Sequence, residues 1–128
     1  MPKLIGVDYG TKRVGIAVSD ERGVVAFPKA TLPNDRALIP TIVDLIRKEN
    51  AVTVVVGESR NSEGADNPIM ENARGFAARL ERAAAVTVTF EPEFYTSVEA
   101  RRNLEKKEVD AEAAALILNS YITRIKKQ

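Results

Sequence analysis

A mixed α/β fold follows from two patterns in this sequence: an antiparallel three-strand meander extended by two parallel strands, with helices flanking the resulting five-stranded sheet. Three short apolar runs separated by turn residues occupy the first 27 positions, and helical and strand-like periodicities alternate from residue 34 onward. The first pattern builds hairpins, and the second builds strand–helix–strand crossovers.

Leu4 to Val7 and Val14 to Val18 read as two strands, with Asp8 to Arg13 short enough to form the hairpin connection. Glu21-Arg22-Gly23 supplies a second turn before a third run, Val24 to Phe27. From the capping pair Asn34-Asp35, apolar residues recur at Leu38, Ile39, Ile42, Leu45 and Ile46, the period of a helix. Pro40 makes that helix begin late or kink. Val52 to Val56 is nearly all β-branched, as a strand buried on both faces should be, and ends at Gly57. Asn67-Pro68 is an N-cap and first-turn pair ahead of the stripe Ile69, Ala73, Phe76, Ala77 and Leu80. Val86 to Phe90 is the fifth strand. Thr96 to Glu99 fits a capping box for a short helix to about Lys106, and Asp110 opens a last helix along Ala113, Ala114, Ile117, Tyr121 and Ile125. The expected order is βββαβαβαα in one domain spanning residues 1–128, the ribonuclease H-like architecture.

Composition narrows the chemistry. Lysine plus arginine number 19 against 18 aspartates and glutamates, so any polyanion site must be local. With no cysteine and no histidine, thiolate nucleophiles, imidazole bases and zinc sites of the usual ligands are excluded, leaving carboxylates to carry acid–base and metal work. No segment approaches the roughly 20 apolar residues that a membrane span needs, so a cytoplasmic protein is expected. Asp8 is the obvious carboxylate to consider, standing between two apolar runs. Taken alone, Asp8-Tyr9-Gly10 is ordinary turn chemistry, with an Asx turn at Asp8 and positive φ at Gly10.

A wider set of motifs changes that balance: GVDYGTKRVGIAVSD at 6–20, VVVG at 54–57 with Gly64 in the loop beyond, ARGFAARL at 73–80, TSVEA at 96–100 and VDAEAAALIL at 109–118. In this order and spacing they resemble the YqgF family of Holliday-junction-resolvase-like and pre-16S rRNA nucleases, which have a ribonuclease H-like fold. The resemblance implies two-metal hydrolysis of phosphodiester bonds with Mg²⁺ or Mn²⁺, chemistry that carboxylates alone can support. It implies Asp8, Glu93 and Asp110 as metal ligands. Asp110 is also a natural N-cap, a role that would itself favour its ionised form.

Two departures from the family pattern matter. Pro92 and Phe94 stand where an aspartate and an arginine are expected around Glu93. Glu91 is displaced by one residue and would point elsewhere in an extended segment. After the fourth strand the chain has Gly57-Glu58-Ser59-Arg60 instead of a Gly-Leu-Pro-like segment, which makes Glu58 a reserve ligand or an exposed loop acid. Thr11, Lys12, Arg13, Arg60, Arg74, Arg101, Arg102, Lys106 and Lys107 are candidates for a phosphate-binding track, Lys12 and Arg13 foremost. Seven Phe and Tyr residues and no Trp provide no stacking platform, so backbone shape and charge are the expected means of recognition.

The resemblance implies processing of the 5′ end of pre-16S rRNA, with cleavage of branched DNA as the alternative, by a monomer or homodimer without membrane association. A nucleic-acid-binding protein with weakened catalysis is a further alternative. Asp8-Tyr9-Gly10-Thr11 also resembles the phosphate loop of actin-like ATPases, but those close two such domains over a nucleotide and this chain has length for one.

Overall fold

The computed structural model describes residues 3–59, 69–93 and 110–126. The sheet has the order β3-β2-β1-β4-β5. It is built from β1 (Lys3–Tyr9), β2 (Arg13–Ser19), β3 (Ala26–Pro33), β4 (Ala51–Ser59) and β5 (Thr87–Glu93). β1 pairs antiparallel with β2, as β2 does with β3, while β4 runs parallel to both β1 and β5. This is the expected mixed sheet. The short helix expected at 96–106 falls outside the described residues.

Helices α1 (Leu38–Glu49) and α2 (Ile69–Ala83) cover one face of the sheet, and α3 (Asp110–Lys126) covers the other. Because β1, β2 and β4 are covered on both sides, their alternate residues enter two separate cores. Ile5, Val7, Val14, Ile16, Val54 and Val56 join Leu38, Ile42, Ile46, Phe76 and Leu80 on the first face. Ala17 and Val55 join Ala114, Ile117, Leu118 and Ile122 on the second. The continuous β-branched run of β4 thus serves two cores at once.

Several boundaries moved, each for a physical reason. The third strand is Ala26–Pro33 rather than Val24 to Phe27. Val24 and Val25 instead belong to a turn in which their N–H groups donate to the Asp20 carboxylate. The two prolines in this strand are tolerated because β3 is an edge, and the register shifts where Pro28 faces Ala17. Helix α1 starts at Leu38, placing Pro40 in its first turn, where an N–H has no helical acceptor in any case. It stops at Asn50 in the left-handed region, φ 54°, and passes directly into β4. β4 runs two residues past Gly57, and β5 three past Phe90, so Glu58 and Glu93 are strand residues rather than loop residues. Gly10 does not have positive φ. A Cβ there would lie 2.6 Å from the Arg13 carbonyl oxygen, so the glycine serves close approach across the hairpin.

No helix of the described residues is long and apolar enough to cross a membrane.

Candidate active site

Asp8 is a half-buried residue near the carboxyl end of the central strand β1, paired with Gly15 of β2. Its face follows from its neighbours. Ile5 and Val7 point into the α1/α2 core, whereas Gly6 lies under α3, where a Cβ would meet the Ala114 carbonyl oxygen at 2.7 Å and the Leu118 Cβ at 2.9 Å. Alternation therefore puts Asp8 on the α3 face.

The position of α3 on the sheet follows from its contacts. Asn119 accepts the Ala26 N–H at 2.9 Å; Ala26 pairs with Ser19, whose hydroxyl oxygen accepts the Leu4 N–H at 2.8 Å. Asn119 thus reaches the β3 edge beside the start of β1, while Ala114 and Leu118 both pack over Gly6, two residues before Asp8 on the same face. α3 therefore packs on the face of β1 that carries Asp8.

Glu91 is also on the α3 face, 4% exposed, and fully engaged there. Arg124 donates Nε–H to Oε1 at 2.8 Å, and the Ser120 hydroxyl donates to Oε2 at 3.0 Å. Glu58 takes the other face: it alternates with Val54 and Val56 of the α1/α2 core and pairs with Pro92. Asp8 and Glu58 therefore point to opposite sides of the sheet. Glu93 pairs with Ser59 through the backbone. The side chains of Glu93 and Asp110 are not among those described, and among the described residues no three carboxylates gather as a metal site.

Of the candidate substrate contacts, Thr11 and Lys12 form the exposed β1–β2 turn after Tyr9, Arg13 is the exposed first residue of β2, and Arg74 is exposed on α2. Arg60, Arg101, Arg102, Lys106 and Lys107 lie outside the described residues. Asn34, legible in the sequence only as a helix cap, braces this turn: its Nδ2 donates to the Gly10 carbonyl at 2.8 Å and its backbone N–H to the Lys12 carbonyl at 2.9 Å. No local pattern announces a contact made 24 residues away. Tyr9 stacks in the core, its ring centroid 4.8 Å from that of Phe76, and offers no platform to a base.

The fold recurs in solved structures. It is similar to the structure "T. thermophilus RuvC in complex with Holliday junction substrate", with a TM-score of 0.62, 16% identity, and coverage of 98% of this chain and 96% of that one. At the sequence level the chain is 36% identical over 133 residues to a protein of Koribacter versatilis (strain Ellin345) named "Putative pre-16S rRNA nuclease", covering 95% of this chain and 87% of the relative. It is likewise 36% identical over 136 residues to a protein of the same name from Anaeromyxobacter dehalogenans (strain 2CP-1 / ATCC BAA-258), covering 95% and 97%. Residues 2–124 match the family model described as "RuvX: Holliday junction resolvase", and the chain belongs to that family.

Proposed function

We propose that this protein is a cytoplasmic, divalent-metal-dependent nuclease that hydrolyses a phosphodiester bond in structured nucleic acid, with the 5′ end of pre-16S rRNA as its substrate. A nuclease is what the family and the curated relatives indicate. The observation that carries the chemistry is that Asp8 sits on the face of β1 covered by α3, the helix that Asp110 opens and that packs over Gly6 through Ala114 and Leu118.

Hard oxygen donors suit Mg²⁺ or Mn²⁺, and this chain has no histidine or cysteine to favour a softer ion. Asp8, Asp110 and Glu93 are the residues that would hold such ions. When bound, the metal supplies activation of the attacking water and stabilisation of the leaving oxygen. Asp8 provides a carboxylate fixed by strand pairing, and the positive end of the α3 dipole favours the ionised form of an acid at its first residue. The exposed turn Thr11-Lys12-Arg13 provides hydroxyl, ammonium and guanidinium donors for phosphate oxygens beside Asp8.

Cleavage of a four-way DNA junction is the second reading, favoured by the description of the family model. Two substrates separate the readings: a 16S precursor transcript carrying its 5′ extension, and a synthetic four-way DNA junction, each incubated with Mg²⁺ or Mn²⁺. Shortening of the transcript with an intact junction is expected. Paired cuts in the junction alone would favour the second reading. Binding of both substrates with no cut in either would leave a catalytically weakened binding protein, as the proline at position 92 allows.

A further inference from the structure

A cavity of about 490 Å³ opens on the α1/α2 side of the molecule, lined by Asn34, Asp35, Arg36, Leu38, Ile39 and Arg79. Its size is that of a small-ligand site, on the order of 300–1,000 Å³. Its chemistry is divided. Leu38, 3% exposed, and the half-buried Ile39 make an apolar floor, while Arg36 and Arg79 bring guanidinium groups from two different elements. Among the described residues neither arginine has an ion-pair or hydrogen-bond partner. Asp35 is the one acid in the lining, and its Oδ1 is committed to the Ala37 N–H at 2.9 Å. The cavity is joined to the β1–β2 turn through Asn34, whose two hydrogen bonds hold Gly10 and Lys12, and the turn leads round the end of the sheet to the face that carries Asp8.

We propose that this cavity binds a phosphate of the substrate strand outside the scissile linkage, an inference that rests on the nuclease reading above. Arg36 and Arg79 donate to the phosphate oxygens from either side, in the fork geometry that guanidinium offers to oxyanions. The apolar floor covers the attached sugar or base. The bound strand then continues past Lys12 and Arg13 toward Asp8, so the pocket fixes where along the strand the cut falls.

The test uses a fluorescein-labelled RNA hairpin with a single-stranded 5′ extension, titrated in EDTA across a series of salt concentrations so that binding is read without cleavage. Wild type is compared with Arg36→Ala/Arg79→Ala and with Arg22→Ala/Lys29→Ala, which removes the same charge from exposed positions near the β2–β3 turn. The pocket variant is expected to bind about tenfold more weakly at 0.1 M salt, and its log K against log [salt] slope is expected to fall in magnitude by about 0.7 for one lost phosphate contact. The control should retain the wild-type slope. In metal-dependent cleavage the pocket variant should raise KM while leaving kcat at saturating RNA unchanged. Equal loss in the two variants, or wild-type binding by the pocket variant, overturns the site while leaving the nuclease reading intact. Failure of wild type itself to bind the hairpin overturns both.

Discussion

Glu91 of β5 and Arg124 of α3 form an ion pair in which Nε and Nη2 each approach Oε1 to 2.8 Å, with Oε2 taken by the Ser120 hydroxyl. The hydrogen bond to Glu91 raises the Arg124 pKa further above its already high ordinary value, so the guanidinium stays charged at any working pH. Ser120 and Asn119 are adjacent in α3, yet they tie it to opposite edges of the sheet, Glu91 on β5 and Ala26 on β3.

These contacts predict a coupled pair. Glu91→Ala should destabilise the protein by about 1–2 kcal/mol, since it removes a buried acceptor and leaves Ser120 without one. Arg124→Met should lower the urea midpoint further, because it strands a carboxylate that is only 5% exposed. The double variant should be more stable than Arg124→Met alone. Simple addition of the two single losses would show that the pair is not coupled.

At Gly6 α3 sits hard against the sheet, and an added methyl would strike the Ala114 backbone carbonyl at 2.7 Å. Backbone cannot rotate aside as a long side chain can. Gly6→Ala should therefore cost about 1–3 kcal/mol, as overpacking does. It should also cut nuclease activity more than stability alone explains, by shifting α3 on the face of the sheet that carries Asp8. Thermal melts and cleavage rates measured well below the melting temperature separate the two effects.

Asp20 caps the β2–β3 turn, and the N–H groups of Val24 at 2.7 Å and Val25 at 3.1 Å lower its pKa below the ordinary 3.8. A depressed folded-state pKa contributes stability that is present above the unfolded value and is lost as pH falls through the folded one. Asp20→Asn should thus be less stable than wild type at pH 7, with the gap narrowing once pH drops below about 4. Chemical denaturation at pH 7, 5 and 3 reads this directly. A gap constant with pH would show that charge is not what strengthens the cap.

Glu58 and Asp8 point to opposite faces of the sheet. Glu58→Gln should accordingly keep metal-dependent cleavage within about threefold of wild type, on the scale of an ordinary surface substitution. A loss comparable to that of an Asp8 variant would show that Glu58 reaches the metal despite the alternation.

What the residues reveal depends on whether the cause is local. β4 was legible because Val52 to Val56 must satisfy cores on both faces, which makes the whole run apolar. β3 was displaced because an edge strand needs no such run and tolerates Pro28 and Pro33. At the site, Asp8 could be placed at the end of a strand, but which face it took depended on α3 packing against Gly6, a contact over more than a hundred residues. Glu58 read as a reserve ligand or a loop acid just past a strand end at Gly57, while pairing with β5 carries the strand two residues further. The Glu91–Arg124 pair gave no signal, since it joins an edge strand to a helix 33 residues later.

The most direct measurement compares wild type with Asp8→Asn on the 5′-extended 16S precursor in the presence and absence of Mn²⁺. Wild type should shorten the transcript only with the ion, and Asp8→Asn should lose at least about a hundredfold in rate while retaining the wild-type melting temperature and RNA affinity, the pattern of a group acting on the transition state alone. Cleavage by Asp8→Asn at the wild-type rate, or cleavage by wild type in EDTA, would contradict a metal site built on Asp8.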